Sequence, residues 1–140
     1  MLVAFQIRVL LDRPKVSQKA RDVHLGAHFH RKVGTKPVTL LNAVALEEHF
    51  DLNRPSRISL PIREVCNQLI HHYVLFAARG AKGQFDAVLV FSDYKRHVGL
   101  YQIDILELLD LFAVFASEQS AADSVRMIWD ERRQDYVFLT

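Results

Sequence analysis

The sequence predicts an α+β protein, and three observations carry that expectation. Residues 73–102 break into three short β-rich runs separated by turn residues. Residues 60–72 and 104–116 repeat their apolar positions at helical spacing. Composition is globular, with 50% hydrophobic and 24% charged residues in 140, enough for one domain spanning 1–140 with a core of its own.

Taken in order, residues 2–11 are rich in Val, Ile and Phe, with Val3, Phe5, Ile7, Val9 and Leu11 alternating, and end at Asp12-Arg13-Pro14. They are expected to form a strand. Residues 17–33 are expected to form a helix capped by Ser17, with Ala20, Val23 and Ala27 on its apolar side, although Gly26 disfavours it by about 1 kcal/mol. After the Gly34–Pro37 break, residues 38–50 read as a second helix through Leu40, Leu41, Val44 and Ala45, and 51–59 as a loop. Ser59 and Pro61 then open a helix over 60–72, whose packing stripe is Ile62, Val65, Cys66, Leu69, Ile70 and Tyr73.

From residue 73 the period shortens. Runs at 73–79, 85–92 and 97–102, joined by Gly80-Ala81-Lys82-Gly83 and Asp93-Tyr94-Lys95-Arg96, predict an antiparallel meander packed against the helices. Residues 104–116 form a helix apolar on nearly every side, leaving a thin acidic line of Asp104, Glu107 and Asp110. Such a helix needs cover on nearly every side, which suggests a second subunit. A C-terminal hairpin is expected over 125–140 around Glu131–Gln134; Ser120 with Asp123 could instead cap a helix there.

Several function classes are disfavoured. No apolar run approaches the roughly 18–20 residues of a membrane helix, so no membrane association is expected. The start lacks a basic leader and a small-residue cleavage site, and the single cysteine, Cys66, excludes an internal disulfide framework; a cytoplasmic location is expected. Gly80, Gly83 and Gly99 form neither a Gly-Lys-Ser/Thr loop nor a dinucleotide fingerprint, and no cofactor is expected. Cys66 falls on the apolar stripe and reads as core.

The net charge of +2 conceals an asymmetry. Residues 1–36 hold eight basic residues against two acids, net +6, whereas 104–140 hold eight acids against three arginines, net −5. The basic segment 13–36 offers Lys15, Lys19, Arg21, Arg31 and Lys32 as nucleic-acid-binding candidates. No arginine-rich run or aromatic platform accompanies them, and the two ends can instead neutralise each other or a second copy.

The candidate catalytic residues are Arg63, Asn67 and His71. Steps of four advance about 400° along a helix, so the three keep to one stripe while drifting about 40° per step. A neutral imidazole can act as general base and an arginine can steady a phosphate, an arrangement suited to metal-free RNA cleavage. An arginine and a histidine on one helix resemble the helical HEPN ribonucleases. The spacing from Arg63 to His71 exceeds that family's, and the strand-rich remainder departs from its all-helical bundle, so no role is carried across. The plainer reading is a polar helix edge. His24 and His28 stand four apart and could bind a zinc ion on a helix, but a third ligand would have to come from His30, His49 or His97, and no metal site is expected.

Three functions are expected, with enzymatic activity left open. The foremost is a non-enzymatic interaction protein that self-associates or takes a protein partner. The alternatives are a metal-free RNase-like hydrolase using His71 and Arg63, and a nucleic-acid-binding accessory module.

Overall fold

A computed structural model describes residues 1–12, 16–117 and 127–138. Its centre is a five-stranded antiparallel sheet in the order β2-β1-β5-β4-β3. The strands are β1 (His24–Arg31), β2 (Ser56–Pro61), β3 (His72–Arg79), β4 (Phe85–Ser92) and β5 (Gly99–Asp104). β3, β4 and β5 are the expected meander, with the third strand placed slightly later than 97–102. A separate hairpin of β6 (Met127–Asp130) and β7 (Asp135–Phe138) turns at residues 131–134, as the sequence suggests. The alternative helix cap at Ser120 and Asp123 lies outside the described residues.

Helices cover one face of this sheet. α4 (Ile62–Ile70) leads directly out of β2 through Pro61 and buries Ile62, Val65, Cys66 and Leu69. α5 (Ile105–Ser117) opens where Asp104 Oδ1 accepts from the Leu106 N–H at 2.8 Å, and buries Leu108, Leu111 and Phe115. These side chains meet Leu25, Ala27, Leu60, Val90, Tyr101 and Ile103 from the sheet in the main core.

Four sequence expectations are corrected. The end of the expected 51–59 loop and the start of the expected 60–72 helix form β2, drawn into the sheet by pairing with β1. Residues 2–11 are not a strand: α1 (Leu2–Asp12) buries Ala4, Ile7 and Leu11, the i, i+3, i+7 stripe of a helix, and packs against α4. The odd positions that alternate so well as a strand are apolar because the helix is apolar on two sides. The helix expected over 17–33 is only α2 (Gln18–Arg21), where Ser17 Oγ accepts from the Ala20 N–H at 3.2 Å as expected. Beyond α2 the chain enters β1, held between β2 and β5. Leu25, Ala27 and Phe29 face the helices and His24, Gly26, His28 and His30 the other side, a period of two that pairing on both edges enforces.

The helix expected over 38–50 is likewise reduced to α3 (Leu46–His49). Asn42 is the cause: its Oδ1 accepts from the Thr39 N–H at 2.8 Å and its Nδ2 donates to Pro37 O at 3.1 Å, fixing turns in place of a helix. This segment lies on the second face of the sheet. Val38, Ala43, Leu46 and Phe50 pack there on Val74, Phe91 and Leu100, with the Phe50 and Phe91 rings 5.3 Å apart. Gly99, opening β5, lets the Phe29 ring and His30 carbonyl close in where a Cβ would stand.

Candidate functional site

The polar edge of α4 divides between two neighbours. Arg63 turns towards α1, donating from Nη1 to Asp12 Oδ1 at 2.7 Å and from Nη2 to Leu11 O at 3.5 Å. Arg8 joins the same Asp12 and also donates from Nε to Asn67 Oδ1 at 3.2 Å. His71 closes the helix, its N–H donating to Asn67 O at 3.0 Å.

Asn67 and His71 line a cleft of about 310 Å³ together with Glu64, Gln68, Ser92, Tyr94 and Lys95, and Arg63 is not among its walls. The drift of 40° per step explains the division, since eight residues carry Arg63 about 80° round from His71. Gln68 organises this cleft: its Nε2 donates to Glu64 Oε1 and its Oε1 accepts from the Ser92 N–H, each at 2.8 Å. The cleft therefore presents an imidazole, a carboxylate, an ammonium and a phenol around a small opening, chemistry suited to holding a polar molecule. Beneath it, burial pushes the Cys66 thiol up to about 11, opposed weakly by Arg8, which leaves the sulfur protonated and unreactive near neutrality. Burial also raises the Tyr101 phenol, with the charge of Glu64 adding to the effect.

The basic candidates fall into two places. Lys19 and Arg21 sit on α2, and Arg31 and Lys32 at the far end of β1, about 25 Å of extended chain away. Lys32 Nζ donates to Val33 O at 2.7 Å. Lys15 lies outside the described residues. Near the His71 cleft, Arg96 stacks over the Tyr73 ring at 5.1 Å and pairs with Asp93 at 3.3 Å.

The histidines are dispersed. On a strand, His24 and His28 share a face but lie about 13 Å apart, too far for one metal ion. His30 is buried between Asp51 O at 3.1 Å and Gln102 Oε1 at 2.8 Å, and His49 Nε2 donates to Asn42 O at 3.1 Å. Among the described residues no three His, Cys, Asp or Glu side chains converge as a metal site.

The most extensive unspent chemistry is apolar. α5 carries its inner stripe of Leu108, Leu111 and Phe115 and an outer stripe of Leu106, Leu109 and Ala113, with Leu106 71% exposed. α1 repeats the same arithmetic: Ala4, Ile7 and Leu11 within, and Leu2, Phe5 and Val9 without, Leu2 being 70% exposed. The outer stripe of α1 was hidden from the sequence by its strand-like alternation; the i, i+3, i+7 repeat of Ala4, Ile7 and Leu11 was the signal that could have revealed it. No helix among the described residues is long and apolar enough to cross a membrane.

Neither protein-family models, nor curated proteins, nor solved structures give a match to this chain.

Proposed function

We propose that the protein is a small non-enzymatic binding protein that works as an assembly of identical copies, joined through the outer stripes of α1 and α5. The observation that carries this reading is the pair of helices apolar on both sides, each with one stripe in the core and a second stripe open to water. Contiguous exposed apolar surface of this kind marks an interaction face.

A second copy is the favoured occupant for two reasons. The stripes share one i, i+3, i+7 spacing, so α1 of one copy can seat against α5 of another, and a twofold axis forms that contact twice. The sequence is also basic over 1–36 and acidic over 104–140, charges that can neutralise each other between two copies. The buried, protonated Cys66 suits a reducing compartment such as the cytoplasm.

Size-exclusion chromatography with light scattering tests the reading. The wild type is expected to run as a dimer or larger species at micromolar concentration, and Leu106→Glu with Leu109→Glu as a monomer with unchanged circular dichroism. A wild type that stays monomeric as concentration rises would refute it.

A further inference from the structure

The sheet face opposite α1, α4 and α5 is only partly covered. His30 and Leu100 lie beneath or beside the 33–55 segment, but the next rows of side chains do not. In one of them Arg57, His28, Gln102 and Leu89 stand side by side across four strands. In the row beyond, Gly26 stands beside Ser59 and Ala87 beside Asp104. Two of the smallest residues thus form the floor of this part of the sheet, and a cleft of about 580 Å³ opens above them.

Its walls differ in charge. His28 and Arg57, directly opposed on β1 and β2, form one side. Asp104 at the end of β5 and Glu107 in the first turn of α5 form the other, with Phe85 and Leu106 contributing apolar surface, while the Asp86 carboxylate lies against Gly80. Asp104 is already oriented, because its Oδ1 accepts from the Leu106 N–H at 2.8 Å. Gln102 is held too, its side-chain amide lying 2.8 Å from the buried His30 Nε2, which leaves one end of that amide for the cleft.

Gly26 is the second, independent observation. Its φ is not in the left-handed region, and a Cβ built there meets nothing within 4 Å. β1 pairs in unbroken register with β2 around it, so no bulge demands a glycine. A glycine inside a strand that neither conformation nor packing requires is compatible with a ligand approaching the backbone, and its effect here is to keep the cleft floor bare.

We propose that this cleft binds a small zwitterionic molecule, with an ammonium or guanidinium group towards Asp104 and Glu107 and a carboxylate towards His28 and Arg57. This is the chemistry of a free basic amino acid. The volume falls within the range of small-molecule sites, and carboxylates at one end with an arginine and a histidine at the other favour a ligand bearing both charges over a polyanion. Charge-assisted hydrogen bonds at each end supply the selectivity for a ligand bearing both charges.

Calorimetric or NMR titration of the full chain with L-arginine, L-lysine, agmatine and glutarate tests the assignment. At least one of the two amino acids is expected to saturate the protein at millimolar concentration or below, roughly tenfold more tightly than agmatine, which lacks the carboxylate, or glutarate, which lacks the cation. Gly26→Leu fills the floor and is expected to abolish binding while the melting curve shows a folded protein. Glu107→Gln and Arg57→Gln, both surface changes, are each expected to weaken it. The proposal is overturned if neither amino acid binds, if binding survives Gly26→Leu, or if agmatine binds as tightly as L-arginine. Leu106 borders both this cleft and the outer stripe of α5, whereas Gly26, His28 and Arg57 belong to the cleft alone. Loss of binding in Gly26→Leu with an unchanged mass by light scattering therefore separates ligand capture from self-association.

Discussion

Gln68 is the residue on which the α4 edge turns. It is 2% exposed, and both ends of its amide are engaged, one with Glu64 and one with the Ser92 N–H. Gln68→Ala removes the acceptor and leaves that buried N–H unpaired, a loss of about 1–3 kcal/mol. Urea denaturation should register it as a lower midpoint with an unchanged slope. Cys66 makes a prediction in pH. Burial raises its pKa to about 11 from 9.0, so the folded state holds the proton more tightly than the unfolded chain. The resulting stability is fully present below pH 9 and is lost as pH rises through about 11. Unfolding midpoints measured between pH 7 and that limit should fall at the alkaline end, and the fall should diminish in Cys66→Ala. Of the polar residues singled out by spacing, Asn67 and His71 share a cleft whereas Arg63 does not. Spacing could say that the three lie on one stripe; it could not say that α1 would lie beside that stripe and draw Arg63 to Asp12.

At the scale of elements, the meander, α5 and the C-terminal hairpin were legible because their signals are local: short turns between β-branched runs, and a long uninterrupted apolar repeat. α4 was legible for the same reason, shorter at both ends than expected because the chain before Ile62 is drawn into β2. The failures have a common cause. α1 reads as a strand because its outer stripe fills the positions that a core-facing helix would leave polar, and β1 reads as a helix because Ala20, Val23 and Ala27 also satisfy the longer period. In both cases tertiary pairing decided between two periods that the residues satisfy equally. α1 offers a clean test. On a strand Phe5 and Ile7 would share a face; on the helix Ile7 is 2% exposed and Phe5 is 56% exposed. Ile7→Ala should therefore cost about 2–4 kcal/mol, and Phe5→Ala no more than about 0.5 kcal/mol under conditions where the protein is monomeric. Equal losses at the two positions in urea denaturation would contradict the helix.

For the molecule as a whole, the sheet order places β5 at the centre, paired with β1 on one side and β4 on the other, with β2 and β3 at the edges. Amide hydrogen exchange should rank protection accordingly: Leu100 to Ile103 slowest, and the outward-facing amides of β2 and β3 fastest. Comparable rates across all five strands would contradict the order. The cleft on the open face was not legible at all, since its walls come from β1, β2, β4, β5 and α5 and share no stretch of sequence. The central position of β5 also bears on synthesis. Arg31 can find its partner at Gly99 only after the intervening residues have been synthesised and have left the ribosome. Until then one edge of β1 stays unpaired during translation, and a chain stalled or cleaved before residue 99 exposes an adhesive ribbon that chaperones must shield.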